Sequence, residues 1–431
     1  MSTKPENTTT DEKALAVYPH AVPEWAARES WSSSVGHWIM PWDTTVLSAR
    51  YKLVKQLGSG SYGVVAMAHN CTTGKMVAIK RSRWIHPGRD DSHSTRLLRE
   101  IAILAELRGL PNLLQLEDVK VSASPTFKEI YVVSQALDAD MTKLFDSKQV
   151  LLESHLRWWA YKLALALALI HAKGIVHRDI KPENLFITES CDLALGDFGL
   201  ARVSAEMQEA KKGGGGGGGG QTKSVAQGQT QHICSRWYRP PEACFGRAAG
   251  PSVDIWSMGC VLAEIYMLIN PDAERKPLFP GRFSSHSPVS DVGWLQKNGK
   301  SDQLKVIKQV LGCPRPGQPQ TKENTWDGAD PTFTDEEVLE RWRARFPGLS
   351  DDLLDVMFRC IQWEPTERTT AAALLEHPAF ASVRNPAAEA ALAKARADGP
   401  GLALEVESIK GDEGRREMLR KVIEHLKTKS D

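Results

Sequence analysis

His177-Arg-Asp-Ile-Lys-Pro-Glu-Asn184, followed by Asp197-Phe-Gly199, decides the fold of this chain. The two stretches put Asn184 and Asp197, both able to ligate a hard metal ion through oxygen, close in sequence to Asp179, a candidate proton acceptor. Either string alone is short enough to arise by chance. Upstream, however, stand a glycine-rich turn, Gly58-Ser-Gly60-Ser-Tyr-Gly63-Val-Val65, and a lysine closing Val77-Ala-Ile-Lys80. The information lies in the order: strand, glycine turn, strand, lysine, then a loop with a carboxylate, an amide and a second carboxylate.

The rest of the composition is that of an ordinary globular chain. With 431 residues it is long enough for one large or two medium domains. Hydrophobic content is 42% and charged content 25%. A net charge of +1 gives no overall field toward nucleic acid or membrane, so neither partner is expected. The seven cysteines show no CxxC pairing and no framework, which predicts reduced thiols in an intracellular compartment. The opening Met1-Ser-Thr-Lys-Pro-Glu-Asn7 lacks an apolar core, which argues against a secretion signal. Leu and Ala alternate through 163–170 with period two, yet both are strong helix formers, so a buried helix is expected there. The run 255–269, apolar except for Glu264, is too short for an uninterrupted membrane span and also reads as a core helix.

Along the chain, 1–50 forms a partly disordered extension carrying Trp25, Trp31, Trp38 and Trp42, whose rings are expected to pack on the domain surface. Strands are expected at 51–57, 64–68, 76–79 and 130–133. One helix spans 96–107, with apolar residues at 97, 98, 101, 104 and 105 and Gly109 at its end. Residues 150–380 read as mostly helical. The glycine run 213–220 is a flexible coil of about 15 Å end to end by random-flight scaling. Stretches 284–301 and 314–334 are polar interruptions. The tail, 383–431, holds an alanine-rich helix stopped by Gly399-Pro400. A basic helix follows, with Met418, Leu419, Val422, Ile423 and Leu426 on one face. Packing on the parent domain is expected for that face, with docking to a partner as the alternative.

From about residue 51 to 382 the chain resembles the eukaryotic protein kinases, and the ending Lys181-Pro-Glu-Asn184 resembles the serine/threonine kinases. Pro240-Pro241-Glu242 stands where the family usually has Ala-Pro-Glu, a mild departure that removes one backbone donor. Asp254-Ile-Trp256-Ser-Met-Gly259 resembles the helix whose aspartate supports the catalytic loop, and Arg368 is the expected partner of Glu242. The resemblance implies an α+β, bilobal fold. Its small β-rich N-lobe covers 51–137 and its larger, mostly helical C-lobe covers 138–382, with a glycine-rich activation-segment insertion at 203–229.

The implied activity is Mg²⁺-dependent transfer of a phosphoryl group from ATP to protein serine or threonine. Such transfer needs charge neutralisation and alignment more than covalent chemistry. Lys80 would bridge phosphates and be held by Glu100. Asp179 would orient the substrate hydroxyl, Lys181 would stabilise transferring charge, and Asn184 and Asp197 would hold Mg²⁺. His177 is expected to pack and hydrogen-bond rather than move a proton. Nucleotide contacts are implied for Leu57, Gly58, Ser59, Gly60, Ser61, Tyr62, Gly63, Val65, Ala78, Ser134, Leu137 and Asp140, as well as Lys80, Lys181, Asn184 and Asp197. Ser134 occupies the position guarding the back of the adenine pocket.

Within the kinases the chain is most similar to the mitogen-activated kinases, through Arg96-Leu-Leu-Arg-Glu-Ile101 and Asp138-Ala-Asp-Met-Thr-Lys-Leu144. Arg236-Trp-Tyr-Arg239 and Pro277-Leu-Phe-Pro-Gly281 are shared with the wider group that includes cyclin-dependent and glycogen synthase kinases. His232-Ile-Cys-Ser-Arg236 is closer to the latter. Membership of either of those branches is the alternative, and a catalytically inactive scaffold is a third. The resemblance implies substrates with proline after the target Ser/Thr, an upstream activating kinase, and a cytoplasmic or nuclear location. It also implies a regulatory phosphate on Thr230, gathered by Arg99, Arg178 and Arg202, with Thr222 or Ser224 as competing sites.

Overall fold

Side chains alternating with period two along 51–83 set up the sheet of the first of two compact units. In the computed structural model, β1 (Tyr51–Gly60), β2 (Gly63–Asn70) and β3 (Lys75–Arg83) are consecutive antiparallel partners. With β4 (Leu116–Val121) and β5 (Glu129–Gln135) they form a five-stranded sheet of order β1-β2-β3-β5-β4. The structure describes residues 30–32, 37–39, 42–47, 49–60, 63–84, 92–124, 126–147, 149, 151–204, 236–244, 250–270, 276–281, 303–313, 332–399 and 401–428. The glycine run, the stretch 284–301, residues 314–331 and Thr230 lie outside them.

One face of the sheet buries Val64, Ala66, Ala68, Val77, Ile79, Tyr131 and Val133, with Tyr51 and Leu53 alongside. Trp42 and Leu47, from the segment before β1, belong to the same core, and Trp42 is 6% exposed. Of the tryptophans ahead of the sheet, Trp42 therefore packs as expected. The other three side chains lie outside the described residues. The opposite face carries two cross-strand rows set by the register, Val65–Lys80–Val132 and Met67–Ala78–Ser134.

Helix α1 (Ser92–Glu106) has no internal glycine or proline and buries Leu97, Leu98, Ile101, Leu104 and Ala105. Gly109, at φ +83°, follows its end. The terminal helix (Asp412–Thr428) belongs to the same unit and packs along α1, burying Met418, Leu419, Val422 and Leu426. Its apolar face thus finds its partner within the chain.

The second unit comprises Gly109–Leu113 and Asp138–Ser408, so the tail divides after Ser408. Its central helix α2 (Glu153–Ala172) buries the whole Leu/Ala run. Two short paired strands follow, β6 (Leu185–Ile187) and β7 (Leu193–Leu195). α3 (Ser252–Tyr266) is buried on every side, its largely apolar sequence carrying Asp254, Ser257 and Glu264 into the core with it. α4 (Asp335–Arg345) starts with a reciprocal cap. The Thr334 hydroxyl accepts from the Glu337 amide at 3.2 Å, and the Glu337 carboxylate accepts from the Thr334 amide at 2.7 Å. No helix among the described residues is long and apolar enough to cross a membrane. Among the described residues, Cys71, Cys191, Cys244, Cys260, Cys313 and Cys360 form no disulfide.

Arg368 joins distant parts of this unit. Its guanidinium donates to both oxygens of Glu242, at 2.7 and 2.8 Å, and lies 5.0 Å from the centre of the Trp256 ring. Both partners are buried. Removing one leaves the other as an uncompensated buried charge. Arg368→Ala should therefore destabilise the protein by about 3–5 kcal/mol. A fall in the urea midpoint would register that loss, and an unchanged midpoint would contradict it.

Candidate active site

The candidate residues fall into two constellations, one in each unit. In the first, β3 carries Lys80 and α1 carries Glu100. Lys80 Nζ donates to Glu100 Oε1 at 2.6 Å, and the Glu100 side chain is only 10% exposed. Burial makes this pair more than a solvated surface contact. Gly63 explains part of the glycine pattern in steric terms. At φ +138°, a Cβ there would stand 2.1 Å from the Arg81 carbonyl oxygen, so no other residue fits without moving backbone. Ser61 and Tyr62 lie outside the described residues. Leu57, at 41% exposure, is one of the large apolar side chains left open to solvent. Ala78 and Ser134 face each other across β3 and β5, and the Ser134 hydroxyl reaches the Ala78 carbonyl at 3.5 Å.

In the second unit the catalytic loop hangs on one carboxylate. Asp254, on α3, is fully buried. Its Oδ2 accepts from the His177 amide at 2.8 Å and its Oδ1 from the Arg178 amide at 2.7 Å. His171 Nε2, near the end of α2, lies 2.9 Å from Oδ2. Burial opposes the Asp254 charge. The hydrogen bond and charge of His171, with His177 and the Arg178 amide, outweigh burial and hold its pKa below the usual carboxylate value. A lowered folded pKa means that the stabilisation is present above the unfolded value of about 3.9. It is lost only as pH falls through the folded value, so the loop anchor stays charged across the neutral range.

The two fixed amides place Arg178 at φ +69°, a conformation that costs an arginine about 1–2 kcal/mol. His177 then accepts from the Asp179 amide through Nδ1 at 3.3 Å. That leaves the proton on Nε2, which donates to the Gly196 carbonyl at 2.9 Å. Its ring also meets Phe198 edge-on at 4.9 Å. His177 is thus a packing and hydrogen-bonding residue, as expected.

Around Asp179 the groups converge. Lys181 Nζ lies 2.9 Å from Asp179 Oδ2. Burial alone would lower the Lys181 pKa, but the Asp179 charge and hydrogen bond raise it, with Glu183 and Asp197 adding to the rise. Asn184 Nδ2 donates to the Asp179 carbonyl at 2.8 Å and to its carboxylate at 3.2 Å. The orientation turns the Asn184 amide oxygen away from that contact. The Gly196 amide donates to the Asn184 carbonyl at 3.0 Å, which brings Asp197 beside the same loop. Asp197 itself is left-handed, at φ +55°, and accepts from the Gly199 amide at 3.3 Å. One amide oxygen and one carboxylate make a hard oxygen set, which fits Mg²⁺ with water and phosphate oxygens completing its shell.

Other expected residues have different surroundings. Asp140 caps the short helix Met141–Asp146 by accepting from the Lys143 amide at 3.0 Å. Arg202 donates to its neighbour's carbonyl, Ala201, at 2.9 Å. Arg99 is buried in the first unit, whereas Arg178 and Arg202 belong to the second. His171 escaped the sequence reading. It lies far along the chain from Asp254, and its only signal is a histidine closing the helix before the catalytic loop.

Residues 51–380 match the protein kinase domain family. The "Extracellular signal-regulated kinase 1" of Dictyostelium discoideum is 30% identical over 344 residues, 79% of this chain and 56% of that protein. The "Mitogen-activated protein kinase mpkA" of Aspergillus fumigatus is 30% identical over 340 residues, covering 77% and 70%. The "Mitogen-activated protein kinase 4" of Oryza sativa subsp. japonica is 28% identical over 368 residues, covering 82% and 84%. The chain belongs to the protein kinases, as a serine/threonine kinase of the mitogen-activated-kinase-like kind.

The role of Asp254 can be checked without any assay of activity. Asp254→Asn keeps the volume but turns one acceptor into a donor facing a backbone N–H. The loss of a charge-assisted hydrogen bond, about 1.5–3 kcal/mol, should speed hydrogen exchange at the His177 and Arg178 amides by roughly 10- to 100-fold. Unchanged exchange at both amides would remove Asp254 as the anchor.

Proposed function

We propose that this chain transfers the γ-phosphoryl group of Mg²⁺-bound ATP to serine or threonine hydroxyls of protein substrates, with proline favoured after the target residue. The observation that carries the reading is the triangle of Asp179, Lys181 and Asn184 on a loop whose backbone is fixed from behind by Asp254. Asp179 orients the acceptor hydroxyl and takes its proton. Lys181, held charged by that carboxylate, faces the negative charge that develops during transfer. Asn184 and Asp197 would hold Mg²⁺, which when bound neutralises phosphate charge. Lys80, aligned by Glu100, takes the α- and β-phosphates, and the backbone of the 58–63 turn approaches them where side chains would clash.

Val65, Ala78, Leu57 and Leu137 offer apolar contacts for the adenine. Ser134 leaves room behind it, so Ser134→Phe should abolish sensitivity to inhibitors bearing a bulky aromatic group. Equal potency on both proteins would show that neighbouring side chains fill that space. The substrates are proteins, the activator is an upstream kinase, and the compartment is the cytoplasm, the nucleus or both. The relatives named as mitogen-activated kinases support the choice of branch.

Phosphorylation of a peptide library with Mg²⁺ and ATP tests this reading. Peptides with Ser-Pro or Thr-Pro should dominate. Lys80→Met and Asp197→Asn should each lower turnover by about 100-fold or more while leaving the folded content intact. Near-normal turnover in either variant contradicts the assigned roles.

Activation is the second point. Thr230 lies before Trp237 in the segment between Asp197 and Glu242, with His232 two positions after it, so a Thr-x-Tyr pair is not available there. We assign the activating phosphate to Thr230 alone, with Arg99, Arg178 and Arg202 as its charge partners. Thr230→Ala should leave the activator without effect, and site mapping should find one phosphate on the segment. Full activation of Thr230→Ala would move the site to Thr222 or Ser224.

A further inference from the structure

The terminal helix is tied to the two elements that carry the Lys80–Glu100 pair. Trp84 follows directly on β3, the strand of Lys80, and is wholly buried. Its indole Nε1 donates to Asp412 Oδ1, at the start of the terminal helix, at 2.7 Å. Asp412 Oδ2 in turn accepts from Arg416 Nε at 2.7 Å. The Arg416 guanidinium lies 4.4 Å from the Phe127 ring centre and 5.6 Å from that of Trp84. It also donates to the Phe127 carbonyl at 2.8 Å. Trp84 and Phe127 meet edge to face at 5.3 Å. An arginine this buried, 7% exposed, is costly unless its donors are matched, and here a carboxylate, a carbonyl and two rings match them.

At the other end of the terminal helix, Arg108, just past the end of α1, donates to the Leu426 carbonyl at 2.9 Å. That satisfies one of the carbonyls a helix end leaves without a partner. Between these ties, the apolar side chains Met418, Leu419, Val422 and Leu426 are buried where the helix runs along α1. One helix therefore grips the strand of Lys80 at its end and the helix of Glu100 along its length.

We infer that the terminal helix is a positioning element for the Lys80–Glu100 ion pair, with Arg416 as its latch, so that residues 409–428 set catalytic competence without touching nucleotide or substrate. The idea rests on the kinase reading for its catalytic arm only. A salt bridge at 2.6 Å needs both backbones held to within a fraction of an ångström.

A double-mutant cycle in the full-length chain tests this. Arg416→Ala should lower kcat/KM for peptide phosphorylation by about tenfold in the wild-type background. In a Glu100→Gln background, where the pair is already broken, it should lower it by less than about twofold. Hydrogen exchange at the α1 amides should rise by about tenfold in Arg416→Ala while that of α2 stays unchanged. Equal losses in the two backgrounds would mean general structural damage and overturn the inference, as would unchanged turnover and unchanged α1 exchange. If Arg416→Ala does not fold, Trp84→Phe keeps a ring in place and removes only the donor to Asp412. It should show the same non-additivity at about three- to fivefold. If the wild-type chain transfers no phosphate, the kinase reading fails, and α1 exchange alone decides whether the helix is a clamp.

Discussion

A single buried carboxylate, Asp254, underlies the catalytic loop. Two successive backbone amides point at its two oxygens and a histidine from a third element stands beside it. Those contacts hold Arg178 in a left-handed conformation that the loop would not adopt alone. The turn they enforce aims His177 at Gly196 and sets Asp179 beside Lys181 and Asn184. Charge is buried here to fix backbone, and its cost is offset because every lone pair that matters has a donor.

The first unit reaches its own geometry by a different route. Lys80 sits in a sheet row whose register is locked by the hairpins and by the core beneath. Its partner Glu100 rides on a helix, and helices have no ladder to fix them sideways. That freedom is what the terminal helix removes, through apolar contact along α1 and polar ties at both ends.

Much of this was legible in the sequence, for identifiable reasons. The strands, α1 and the buried Leu/Ala helix follow from short-range pattern and propensity, which a chain displays locally. Lys80, Glu100, Asp179, Asn184 and Asp197 stand out because the chemistry proposed for them demands fixed residue types in a fixed order. The pairing of Arg368 with Glu242 came from resemblance, since their distance along the chain carries no local signal. His171, the cap formed by Asp140 and the Trp84–Asp412–Arg416 latch were not legible. Each depends on which surfaces meet after folding, and an arginine in a basic amphipathic helix looks like any solvated charge until two aromatic rings close around it. The sequence predicts packing or partner docking for the apolar face of the tail helix and says nothing of what its arginines meet.

Asp179 is proposed to act on the acceptor hydroxyl while other groups bind Mg²⁺ and ATP. Single-turnover measurement of γ-phosphoryl transfer by Asp179→Asn, alongside calorimetric binding of Mg²⁺-ATP, addresses it most directly. Binding should stay within about threefold of wild type while transfer slows by about 100-fold or more. Transfer at the wild-type rate, or loss of nucleotide binding together with activity, would contradict it.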